Sequence, residues 1–102
     1  MDFVAILRLR DGVPTAQRDG ALLRRASWHY PDGITPVAEY WLVSAEHTVV
    51  TIFTADTFAP IQELQFEWND VFDVTVFPAV SAEEGLRIGP EVFGRIPRMQ
   101  HS

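Results

Sequence analysis

The 102-residue chain predicts an α+β fold, a ferredoxin-like βαββαβ sandwich with one antiparallel sheet in the order 4-1-3-2 and both helices on one face. Three observations predict it. Strand-like apolar runs and segments of helical spacing follow one another as strand, helix, strand, strand, helix, strand. The prolines inside strand segments, Pro36 and Pro78, fall on strands two and four, the edges of that order, where a missing N–H costs no ladder bond. Composition is 47% apolar and 12% aromatic, enough for one domain with one core.

The elements follow in chain order. "FVAILRLR" (Phe3–Arg10) is the first strand, broken by Asp11-Gly12. Pro14 suits the first turn of a helix running to about Trp28. Its expected inner face is Ala16, Gly20, Leu23 and Ser27, with Leu22 and Ala26 beside them. "YPDG" (Tyr30–Gly33) is a turn with Pro at its second position. "TPVAEYWLV" (Thr35–Val43) and "TVVTIFT" (Thr48–Thr54) are strands two and three, joined by the hairpin loop "SAEH". Asp56 or Thr57 can cap a second helix whose buried stripe is Phe58, Ile61, Leu64 and Trp68, with Pro60 in its first turn. "DVFDVTVFPAV" (Asp70–Val80) is strand four, and "SAEE" (Ser81–Glu84) reads as a capping box opening a short third helix. Residues 1–88 thus form the domain. Residues 89–102 are a tail, either loosely ordered or packed on a partner subunit.

Charge and composition exclude several function classes. The net charge is −6, with +2 over residues 1–30 (five Arg, three Asp) and −8 over residues 31–102 (three Arg, eleven acids). An acidic chain without a basic stripe argues against nucleic acid and anionic membranes as partners. No apolar run approaches the roughly 20 residues of a membrane span, and no signal segment is visible. With no cysteine there is neither disulfide nor thiol chemistry, which fits the cytoplasm. His29, His47 and His101 lack the spacing of a metal site, and no metal or other cofactor is expected. Phosphate loops, dinucleotide fingerprints and nucleophile elbows are absent.

Alternation along the strands divides the sheet into two faces. One, expected under the helices, carries Phe3, Ala5, Leu7 and Leu9 with Ala38, Tyr40, Leu42, Val50, Ile52, Phe72, Val74 and Val76. The other carries Val4, Ile6 and Arg8 with Val37, Glu39, Trp41, Val43, Val49, Thr51, Phe53, Val71, Asp73, Thr75 and Phe77. This second set is too apolar to face water, so a homodimer packed sheet on sheet is expected.

"WHYPDG" after the first helix, "AEYW" in strand two, "TAD" before the second helix, "WNDVFDVTVFPAV" through strand four and "SAEEGL" after it carry a resemblance. Over residues 1 to about 88 the chain resembles the dimeric α+β barrel superfamily, and within it a short bacterial family known only as a domain of unknown function. The superfamily includes cofactor-free monooxygenases, isomerases, polyketide cyclases, haem proteins and ligand-sensing modules. The resemblance implies a cleft between sheet and helices and assigns no catalytic residue. The haem-degrading branch looks to depend on an Asn in the first strand, and this first strand has none.

The candidate site residues are therefore argued from chemistry. Asp73, Glu39 and His29 are the candidate acid–base groups. Arg8 is placed to pair with Asp73, since the end of strand one lies beside the start of strand four. Such a pair either binds a polar ligand group or fixes the register of a dimer. His29, next to Tyr30, either closes the helix end or acts at the cleft rim. Trp41, Phe53, Thr75, Phe77 and Tyr30 are the candidate contacts for a small hydrophobic or aromatic metabolite. Two functions stay open: an isomerase, cyclase or cofactor-free oxygenase moving protons in the cleft, and a non-catalytic binding or oligomerisation module.

Overall fold

Strand β1 (Asp2–Leu9) is the spine of the sheet, pairing antiparallel with β3 (His47–Ala55) on one side and β4 (Phe72–Ala79) on the other. Strand β2 (Ile34–Trp41) adds to the free side of β3, giving the order β2-β3-β1-β4. This computed structural model describes residues 1–44 and 46–95. The order is the expected one, and Pro36 and Pro78 do lie on its two edges. Helix α1 (Thr15–Ala26) connects β1 to β2, and α2 (Ala59–Trp68) connects β3 to β4. The architecture is a ferredoxin-like βαββαβ sandwich, extended by a helix α3 (Ala82–Gly94).

Register fixes which side chains share a face. Phe3, Ala5 and Leu7 of β1 stand opposite Phe53, Thr51 and Val49 of β3, and all six are buried. Ala5 and Leu7 also oppose Val76 and Val74 of β4. With Ala21 of α1 and Ile61, Leu64 and Trp68 of α2, these residues form the core. Phe3 stacks on Phe53 with ring centroids 5.7 Å apart, and Trp28 meets Trp68 edge-on at 5.3 Å.

Two expectations about faces are corrected. The faces of β2 and β3 are exchanged: Glu39, Trp41, Val49, Thr51 and Phe53 lie on the helix side, while Ala38, Tyr40, Val50 and Ile52 lie on the open side with Val4 and Ile6. Both strands are apolar on both sides, so alternation alone leaves their parity open. A bulge then shifts each of them, at Val37 between Pro36 and Ala38 and at Thr48 opposite the Leu7–Arg8 step. Helix α1 is also turned from the expected orientation. Ala21 and Arg25 are its buried residues, and Leu23 is 76% exposed. Arginine counts as polar in a hydropathy pattern, so the stripe that includes Arg25 was displaced around the helix.

The turns place the elements. Gly33 has φ +96° in the turn closed by Ile34 N–H to Pro31 C=O at 3.1 Å, one residue later than the sequence suggests. Ser81 Oγ accepts the Glu84 N–H at 3.1 Å, so it caps α3, while the Glu84 carboxylate bonds Arg87 instead of returning to the cap. Helix α3 then runs through Gly89 and Pro90 to Gly94, so much of the segment read as a tail is helical. Residues 96–102 of that segment lie outside the described residues.

Candidate ligand site

Below α1, at the end of the sheet where β2 meets β3, a polar cluster is built into an apolar layer. Its centre is Arg25, 4% exposed on the inner face of α1. Arg25 Nε donates to Glu39 Oε2 at 2.9 Å and Nη2 to Oε1 at 2.8 Å, the planar fork of a guanidinium on a carboxylate. The guanidinium carbon lies 4.9 Å from the ring centroids of both Trp28 and Trp68. Glu39 accepts two further bonds, from the Tyr30 hydroxyl and from Trp41 Nε1 at 2.8 Å. The Tyr30 oxygen is 2.7 Å from Thr51 Oγ1, which also reaches the Ala38 carbonyl at 3.3 Å. The buried Thr51 hydroxyl is thereby satisfied, and Arg25 is held through Nε and Nη2, while its buried Nη1 has no partner among the described residues.

The electrostatics follow from this geometry. Burial alone would raise the Glu39 carboxyl, but bonds from Arg25, Tyr30 and Trp41 outweigh it and hold it below the ordinary carboxylate value. Tyr30 is pushed the other way, by burial first and then by donating to an anion. Glu39 is therefore a saturated, ionised acceptor at neutral pH, and Tyr30 a neutral donor.

The cluster borders a cavity of about 410 Å³ lined by Arg18, Leu22, Trp41, Leu42, Val43, Ser44 and Thr48. Trp41 connects the two, its indole N–H on Glu39 and its ring on the cavity. Trp41, Leu42 and Val43 are consecutive apolar residues left exposed at its mouth. Thr48 is buried and lines the cavity, yet its Oγ1 has no hydrogen-bond partner among the described residues. A second cavity, about 550 Å³, lies under α2 between Met1, Phe3, Phe58, Ile61, Gln65, Val76 and Pro78, with Gln65 the polar side chain among these lining residues.

The predicted site residues separate into three groups. Glu39, Tyr30 and Trp41 come together on the helix side. Arg8, Asp73, Thr75 and Phe77 are grouped on the open side, where Arg8 opposes Asp73 in register and approaches it to 3.6 Å. Asp73 is also 3.9 Å from Arg10, and Arg8 bonds Glu46 as well, so this is an exposed ion network. Glu39 and Asp73 therefore do not share a site, a correction that follows from the exchanged faces. Phe53 is fully buried between Phe3 and the helices and cannot touch a ligand on the open face. His29 stands alone: it lies beyond the end of α1, exposed, and its ring bonds no described residue. The Ser27 hydroxyl and backbone close that end on the Arg24 carbonyl instead. Arg25, Arg18 and Thr48 escaped the sequence reading. The available signal was an Arg three residues before Trp28 on the face that carries Ala21.

Comparison with known proteins adds the family. Residues 1–93 match the model of a domain of unknown function, DUF3303. The chain belongs to the DUF3303 family. No curated protein matches it. Among solved structures it is similar to 30S ribosomal protein S6 from Thermotoga maritima, 11% identical over 87% of this chain and 96% of that one, with a TM-score of 0.46. That likeness is too slight to bear on function. No helix among the described residues of this DUF3303 chain is long and apolar enough to cross a membrane, and no cluster of His, Asp and Glu among them could hold a metal ion.

Proposed function

We propose that this DUF3303 domain binds a small hydrophobic or aromatic metabolite in the cavity between α1 and the β2–β3 end of the sheet, and that it works as a homodimer. The observation that carries the binding reading is Trp41, half exposed at the cavity, with its indole fixed on a carboxylate already held by Arg25. An aromatic wall locked from behind is a preorganised surface for a flat apolar ligand. Binding is favoured over acid–base turnover because Glu39 is saturated with donors and held ionised. The cavity thus meets no free carboxylate from that cluster.

The dimer reading rests on the open face of the sheet. Val4, Ile6, Val50, Ile52, Ala38 and Phe77 present apolar atoms there, with Tyr40 62% and Phe77 50% exposed. A second copy offers the same apolar centre about a two-fold axis, with Arg8 and Asp73 toward one end of each strand pair to complement it.

Native mass spectrometry of the purified full chain tests both parts. The expected result is a species at twice 11.5 kDa that gains mass on adding a small neutral aromatic such as 2-naphthylmethanol. A monomer at all concentrations removes the dimer, and a spectrum unchanged by the aromatic removes the binding reading.

A further inference from the structure

We propose that the natural ligand of the α1 cavity is an aromatic carboxylate, with its ring against Trp41 and Leu22 and its carboxylate held by Arg18 and Thr48. The proposal rests on the binding reading above and adds the chemical class of the ligand.

Thr48 is the first argument. It is the extra residue of a β-bulge: Leu7 pairs with Val49 and Arg8 with His47, and Thr48 has no place in the register. Bulges re-aim a side chain beside a site. Here the side chain lines the cavity while remaining 3% exposed, and its hydroxyl has no partner among the described residues. Buried hydroxyls are nearly always bonded, so an unpartnered one at a cavity wall marks the place of a missing acceptor. A carboxylate oxygen accepts that proton.

Arg18 is the second. It lines the same cavity from α1, and its described bonds go to Asp19 at 3.2 and 3.3 Å. Consecutive residues on a helix point about 100° apart, and Asp19 is well exposed, so this is a weak surface pair that a ligand can replace. A guanidinium fork matches a carboxylate with two parallel bonds. One cation balances one negative charge, which selects a carboxylate over a doubly charged phosphate. The Ser44 hydroxyl, which lines the same cavity, accepts the N–H groups of Glu46 and His47 and keeps its O–H to donate to the head group.

Isothermal titration of the full chain at neutral pH with 2-naphthoate and with uncharged 2-naphthylmethanol tests the proposal. The expected result is 2-naphthoate binding about tenfold or more tighter than the alcohol, as a charge-assisted hydrogen bond provides. Arg18→Gln should bring the two compounds to nearly equal affinity. Thr48→Val, which keeps the shape of the side chain, should weaken 2-naphthoate more than the alcohol. Thermal melting of each variant separates a lost contact from a lost fold. Equal affinities in the unaltered chain overturn the carboxylate assignment and leave aromatic binding standing. If neither compound binds, the binding reading falls with it.

Discussion

The Arg25 guanidinium and the Glu39 carboxylate meet two atoms on two, at 2.8 and 2.9 Å, and tie α1 to the edge strand β2. The arginine side chain is almost wholly enclosed and the glutamate about three-quarters so. Removing one partner of such a pair leaves the other charge buried without compensation. Glu39→Ala should therefore destabilise the fold by about 3 kcal/mol, read from urea unfolding. Arg25→Met combined with Glu39→Leu should recover most of that loss. A double variant as unstable as the single one would show that the pair is not the source of the cost.

The same pair sets an acid limit. The folded Glu39 carboxyl lies below its unfolded value of about 4.3, so the unfolded chain binds more protons in that window and stability rises with pH. The contribution is complete above the unfolded value and is lost as pH falls through the folded one. Asp70, lowered mainly by its bond from Arg24, acts in the same direction and is common to wild type and variant. The stability gap between wild type and Glu39→Gln should be widest near pH 7 and should narrow below about pH 4. A gap independent of pH would mean that Glu39 is not held ionised by its donors.

Gly33 joins the α1 end to β2 under two constraints. Its φ is +96°, and a Cβ built there would lie 3.1 Å from Pro60 Cγ. Pro60 is a buried ring at the start of α2 and has little freedom to move. Gly33→Ala should cost about 1–3 kcal/mol, visible as a lowered melting temperature. Gly20→Ala in α1, where a Cβ meets nothing within 4 Å, should instead be neutral or stabilising.

Phe77 tests the open face. It stands beside Val4 on β4, half exposed and remote from the Arg25–Glu39 cluster. Phe77→Glu should give a folded monomer in sedimentation velocity, with the melting transition kept. A variant that sediments as the wild-type dimer would place the interface elsewhere.

Topology was legible in the sequence because its signals are local and redundant. Strand and helix spacings alternate, and Pro36 and Pro78 mark the edges independently of any pairing argument. The Arg8–Asp73 pairing followed directly from that order. The site was legible only in part. Glu39 and Trp41 stood out as polar or amphipathic residues in an apolar strand, and Tyr30 as a phenol beside the turn that precedes it. Their side of the sheet did not, because "TVVTIF" carries apolar residues on both faces, and alternation leaves the parity of such a strand open. Arg25 was hidden for a different reason. A buried arginine looks like any surface arginine until its carboxylate, 14 residues away, is brought beneath it by the turn at Gly33. Reading Arg25 as an inward residue would have rotated α1 correctly and moved Glu39 to the helix side.

The central claim is that a small aromatic molecule sits against Trp41. It is tested most directly by the three tryptophan indole N–H signals in a ¹H–¹⁵N NMR spectrum of the labelled full chain, assigned by Trp41→Phe, during titration with 2-naphthylmethanol. The Trp41 signal should move through saturation, because its ring lines the cavity while its N–H stays on Glu39. The buried Trp68 signal should hold still. A Trp41 signal that stays in place at high concentrations of the aromatic, or a shift confined to Trp28 and Trp68, would contradict the account.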